Sequence, residues 1–101
     1  MVSRRITLQT VFRVSSSQVS CRNGEETFVL QVDSGRYLGM DSVGTTIWEF
    51  MQERPRTFEQ IRDYVLQEFE VSVEECEAGV LDMVQELLAN GLLEVEESPT
   101  N

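Results

Sequence analysis

Residues 33–51 read DSGRYLGMDSVGTTIWEFM, and the fold is decided here. Asp33, Ser34 and Gly35 are turn residues, because Asp and Ser hydrogen-bond their own backbone and Gly accepts positive φ. Arg36–Met40 contains an aromatic and no proline, and reads as a strand. Asp41 or Ser42 then caps a helix by accepting from its free N–H groups. Ile47, Trp48 and Met51 fall at helical spacing, so that helix buries one face. The residues before this stretch have β character, and those after it have α character.

Working toward the N-terminus, Glu26 or Thr27 to Val32 is a second strand, with Phe28, Leu30 and Val32 on one face. Asn23-Gly24 is a hairpin signal, since both positions tolerate φ > 0. Gln18–Arg22 is the strand before it, with Val19 and Cys21 sharing a face. Two tight turns in succession give an antiparallel meander with the middle strand central and the outer two at the edges. In residues 1–16, Ile6, Leu8, Val11, Phe12 and Val14 offer apolar contacts, but Ser15-Ser16-Ser17 breaks any regular run. A loosely ordered arm is expected there, with a short extended piece around Phe12 and the domain proper over 17–96.

Working toward the C-terminus, the first helix runs from about Ser42 to Gln52 and stops at Arg54-Pro55-Arg56, because proline disfavours helix in the residue before it. Thr57-Phe58-Glu59-Gln60 is a capping box that opens a second helix ending near Phe69. Phe58, Ile61, Val65, Leu66 and Phe69 form its apolar face. Ser72-Val73-Glu74-Glu75 is another capping box and opens a third helix that reaches Ala89, where Asn90-Gly91 stops it. Leu92–Val95 is expected as a short extended piece on the core, with a frayed tail over 97–101. On the third helix, Met83, Cys76, Leu87, Val80, Val73, Val84, Leu88 and Leu81 fall within an arc of roughly 160°, interrupted only by Glu77. A core-covering helix needs a stripe of about 100° or more. The surplus at the Leu81–Leu88 edge either lines a groove or is simply deep wrapping of a small core. The fold class is α+β: a three-stranded antiparallel sheet followed by a three-helix bundle, winged-helix-like.

A chain of 101 residues suits one domain with a modest core. No apolar run approaches the ~18 residues of a membrane span, and the N-terminus lacks the apolar stretch of a signal peptide. Two free thiols in a reducing cytoplasm is the expectation for Cys21 and Cys76. The net charge of −10 is unevenly placed: four arginines and two glutamates leave residues 1–32 at +2, hence −12 for the remainder. Such acidity repels phosphate backbones and attracts basic partners, or serves only solubility.

The sequence has no histidine, which excludes Ser-His and Cys-His nucleophile pairs. The cysteines have neither C-x-x-C nor zinc spacing, and no G-x-G-x-x-G or Walker lysine is present. Glu74, Glu75 and Glu77 in a helix's first turn complement its dipole rather than bind a metal. The reading is a protein without enzyme activity, cofactor or metal. Two binding classes fit. One takes an extended peptide onto the exposed edge strand beside the apolar third helix, with Gly39 allowing close backbone approach and Tyr37 offering a large contact. The other is a winged-helix DNA-binding regulator. Its would-be recognition helix, however, carries Glu74, Glu75, Glu77, Asp82 and Glu86 with no basic residue between Val73 and Ala89.

The ordered set Asp33, Gly35, Met40, Asp41, Gly44, Ile47 and Trp48, succeeded by Thr57 and Ile61 and then by Leu87, Gly91, Leu92 and Leu93, resembles the PqqD-like family, also called RiPP recognition elements. The resemblance spans Val19 to Val95; the Asp33–Gly35 spacing is one of several turn lengths used in the family. It implies a sheet packed on three helices that binds the leader segment of a ribosomal precursor peptide between the third strand and the third helix. Carried over, the peptide-binding residues are Arg36, Tyr37, Leu38, Gly39 and Met40 on the strand and Leu81, Asp82, Val84, Gln85 and Leu88 on the helix. As a free-standing chain it looks most like the leader-binding partners of lasso-peptide maturation. That implies a leader peptidase, a cysteine protease, as the enzyme that receives the complex, with no nucleic-acid or membrane partner. A partner of a radical-SAM peptide-modifying enzyme is the alternative.

Overall fold

Gly24 and Gly35 take positive φ, 65° and 76°, and each turns the chain back between antiparallel strands. The computed structural model describes residues 5–96. Strands β2 (Gln18–Asn23), β3 (Glu26–Gln31) and β4 (Tyr37–Met40) form a sheet in the order β2-β3-β4. The first hairpin turn falls one residue later than expected. Asn23 pairs with Glu26, so Gly24 and Glu25 are the loop residues. Glycine at the first central position is what a type II′ turn demands.

The helices begin at their caps. Helix α1 (Ser42–Glu53) is capped by Asp41, whose Oδ1 accepts from the Gly44 N–H at 2.9 Å. Helices α2 (Phe58–Glu68) and α3 (Val73–Ala89) open on the capping boxes at Thr57 and Ser72, with both reciprocal bonds present in each. Helix α3 ends in a Schellman motif: Gly91 has φ 71°, its N–H donates to Leu88 O, and the Leu92 N–H donates to Leu87 O. The class is therefore α+β, a three-stranded antiparallel sheet with three helices.

Residues 11–14 correct the expected arm. Strand β1 (Val11–Val14) is the centre of a second sheet, between β5 (Arg56–Thr57) and β6 (Leu93–Glu96), and Phe12 is 0% exposed. The three serines do not end the structure. They make the corner that carries the chain from one sheet into the other. Ser15 N–H donates to Leu92 O at 3.0 Å, and Ser17 O accepts from Val32 N–H at 3.0 Å. A serine run breaks periodicity, but its backbone still finds partners. The Leu92–Val95 piece is accordingly a paired strand edge. The frayed tail expected over 97–101 lies outside the described residues.

Trp48 and Ile47 from α1, Ile61 from α2, Val84 and Leu87 from α3 and Phe12 from β1 meet in one core. Arg62 fastens α2 to α3. Its guanidinium donates to Glu77 on α3 at 2.9 Å and to Asp63 at 3.0 Å, and these bonds raise its already high pKa. No described helix is long and apolar enough to cross a membrane. Cys21 and Cys76 are both free thiols.

Candidate functional site

Strand β4 pairs with β3 on one side only, so among the described residues its other edge carries no strand. The ladder determines which groups that edge offers. Gln31 N–H donates to Arg36 O at 2.7 Å, and the register pairs Val29 with Leu38 and Thr27 with Met40. In an antiparallel pair, hydrogen-bonded positions alternate. Leu38 and Met40 therefore spend their backbone groups on β3, as does the Arg36 carbonyl. The Arg36 N–H donates to Ser34 Oγ at 3.2 Å, and Tyr37 and Gly39 point their backbone groups outward. The side chains obey the complementary rule: Leu38 and Met40 turn inward, and Tyr37, 74% exposed, turns outward.

Between this edge and α3 lies a cavity of about 450 Å³. Leu38, Gly39 and Met40 line it from the strand, Val43 and Ile47 from α1, and Cys76, Gly79, Val80 and Met83 from α3. Asp41, Glu75, Asp82 and Glu86 also line it, with no arginine among them. An apolar floor with an acidic rim selects an apolar group flanked by positive charge. A second hollow, of about 430 Å³, lies between the β3–β4 turn and the end of α3, lined by Asp33, Ser34, Arg36 and Asn90 among others. Gln31 joins these two elements: its Oε1 accepts from Ser34 N–H at 2.8 Å, and its Nε2 reaches Gly91 O at 3.5 Å.

Of the anticipated strand residues, Leu38, Gly39 and Met40 line the cleft beside α3, Arg36 lines the hollow by the β3–β4 turn, and Tyr37 stands on the outer face of the sheet. The helix half is rotated. Asp82 alone among the anticipated α3 residues faces the cavity. Val84 is 0% exposed and belongs to the core; Gln85 is exposed, and Leu88 is half-buried against the core. Leu81 lines a separate hollow on the other flank of α3, with Ile6, Leu8, Phe58 and Ala78. Besides Asp82, the α3 residues that line this cavity are Glu75, Cys76, Gly79, Val80, Met83 and Glu86. Met83 and Cys76 stood at the opposite edge of the same apolar arc.

Gly39 has a neighbour of its own. A Cβ built there would stand 3.1 Å from Cε1 of Phe28, its cross-strand partner. Phe28 belongs to the outward face of the sheet with Val19, Leu30 and Tyr37, all exposed, while Thr27, Val29 and Gln31 face inward. The missing side chain makes room for that ring on the outward face. Burial pushes the Cys76 thiol above its ordinary pKa, opposed by Arg62 and reinforced by Glu77 and Asp63.

Fold and groove together define a winged-helix-like α+β module whose open strand edge faces an acid-rimmed apolar cleft. The profile of the family described as coenzyme PQQ synthesis protein D (PqqD) matches residues 26–93. The chain belongs to the PqqD family, as a PqqD-like RiPP recognition element. The solved structure of TbiB1 in complex with the TbiA(beta) leader peptide is 29% identical to it. That match has a TM-score of 0.76 and covers 85% of this chain and 99% of the other. The structure of lasso peptide synthetase B1 complexed with the leader peptide shares the fold at 18% identity and a TM-score of 0.71, covering 82% of this chain and 96% of that one. No curated protein matches the sequence.

Proposed function

We propose that this chain is a non-catalytic binding protein for the leader segment of a ribosomal precursor peptide of the lasso type. The leader lies extended along Tyr37–Met40, takes the free backbone groups of Tyr37 and Gly39, and turns alternate side chains into the cavity beside α3. The bound leader is then presented to a modifying enzyme such as a leader peptidase, in the cytoplasm, with neither nucleic acid nor membrane as partner. The observation that carries this reading is an unpaired strand edge facing an apolar, acid-rimmed cleft. Backbone pairing supplies affinity there and the cleft supplies selection. The similarity to TbiB1, a structure that contains a leader peptide, supports it.

The test is amide hydrogen exchange with and without a synthetic leader peptide, taken from any precursor gene that sequencing finds beside this one. Tyr37 and Gly39 amides should gain protection on binding, whereas Leu38 and Met40, already bonded to β3, should change less. Fluorescence polarisation should give a Kd of about 1 μM or tighter, equivalent to about 8 kcal/mol. Binding without new protection at Tyr37 and Gly39 would rule out strand addition. Failure of the leader to bind would rule out the function.

A further inference from the structure

Glycine is among the least favourable residues in a helix interior, so one that sits there needs a reason. Gly79 is well inside α3, which runs from Val73 to Ala89. Its φ is not positive. A Cβ built on it would meet nothing within 4 Å. Gly44 shows the contrast: a Cβ there would stand 3.1 Å from Met40 Cβ, so packing of β4 against α1 accounts for it. Nothing in the fold accounts for Gly79. It does line the cleft beside β4, together with Val80 and Met83, with Glu75, Asp82 and Glu86 on the rim.

We infer that Gly79 is the specificity-determining position of the groove, a bare stretch of helix on which one large apolar side chain of the bound peptide rests. The inference rests on the proposed leader-binding groove and goes further by naming where the anchor sits. Without a Cβ, the anchor can approach the α3 backbone closely, and the flexible thioether of Met83 can adapt to its shape. The acidic rim fixes the chemistry of the neighbours: lysine or arginine beside the anchor in the peptide. The unfavourable helix residue is thus explained by the occupant rather than by the fold.

The test uses Gly79→Ala, Gly79→Leu and Met83→Asp, a thermal melt of each, and a fluorescein-labelled form of the leader peptide used in the exchange experiment. A panel of the same leader with each large apolar residue replaced by alanine completes it. Gly79→Ala should raise Tm by about 4–8 °C, because a helix glycine is relieved at no steric cost. The same variant should weaken binding several-fold, and Gly79→Leu should weaken it by a factor of fifty or more. One leader position, the anchor, should lose its sensitivity to alanine in the Gly79→Leu background, as coupled positions do. A lower Tm for Gly79→Ala would mean that the fold itself needs the glycine, and would overturn the inference. So would wild-type affinity in a folded Gly79→Leu. If that occurs while Met83→Asp still loses binding, the groove stands and only the anchor position fails. If both variants bind like wild type, the groove reading fails as well.

Discussion

Leu81 and Met83, two positions apart on α3, face different cavities: Met83 lines the cleft beside β4, and Leu81 lines the hollow beneath Ile6 and Leu8. Two helical steps rotate a side chain by about 200°, so the pair diverges by about 160°. The difference is directly measurable. Met83→Asp adds a fifth carboxylate to a cleft already lined by Asp41, Glu75, Asp82 and Glu86. It should weaken leader binding at least about tenfold, or about 1.4 kcal/mol. Leu81→Gln should leave affinity within about twofold. Fluorescence polarisation on folded variants decides, and the reverse ranking would place the leader on the other flank of α3.

Phe12 should prove as important to stability as Trp48. Both are 0% exposed in the same core. Phe12→Ala and Trp48→Ala should each cost about 3–5 kcal/mol in urea unfolding, a large share of a small domain's stability. Removal of residues 1–16 should therefore leave a chain that does not fold cooperatively. A truncated chain with a wild-type melting curve would return β1 to the status of a loose arm.

Salt should act on binding through the cleft's acidic rim. Exposed pairs are individually weak and are screened. Raising NaCl from about 0.05 to about 0.5 M should weaken leader affinity about three- to tenfold, chiefly through slower association. Stopped-flow kinetics would show this as a falling on-rate at a nearly constant off-rate. A salt-independent on-rate would assign the net charge of −10 to solubility alone.

Cys76 should make stability fall at alkaline pH. Its thiol is raised by burial, so above the ordinary thiol range, about 8.5, the unfolded chain loses its proton while the folded chain keeps it. The folded state then binds more protons, and stability declines as pH rises. Urea unfolding at several pH values should show a steeper alkaline decline for wild type than for Cys76→Ala. At neutral pH, iodoacetamide should modify exposed Cys21 well before Cys76, as mass spectrometry of the partly labelled chain would reveal.

Local chemistry made much of this protein legible in its sequence. Caps act within a few residues: Thr57, Ser72 and the Asn90-Gly91 stop appear where the sequence placed them, and Asp41 is the cap of the two candidates Asp41 and Ser42. The turns at Gly24 and Gly35 likewise fixed a meander, because short connections allow only neighbouring strands to pair. Strand β1 was less legible. Its partners are residues 56–57 and 93–96, so nothing within its own neighbourhood signals that Val11–Val14 is a central strand.

The helix half of the groove marks the limit most clearly. Sequence alone determined that α3 carries an apolar arc wider than a core requires, with Met83 at one edge and Leu81 at the other. Both edges are equally apolar, and a helical wheel has no marker for which one faces a strand distant in sequence. That was decided in three dimensions, where burial of Val84 and Leu87 in the core fixes the rotation of α3. With those side chains inside, Gly79 and Met83 turn toward β4, and Leu81 turns toward the N-terminal segment.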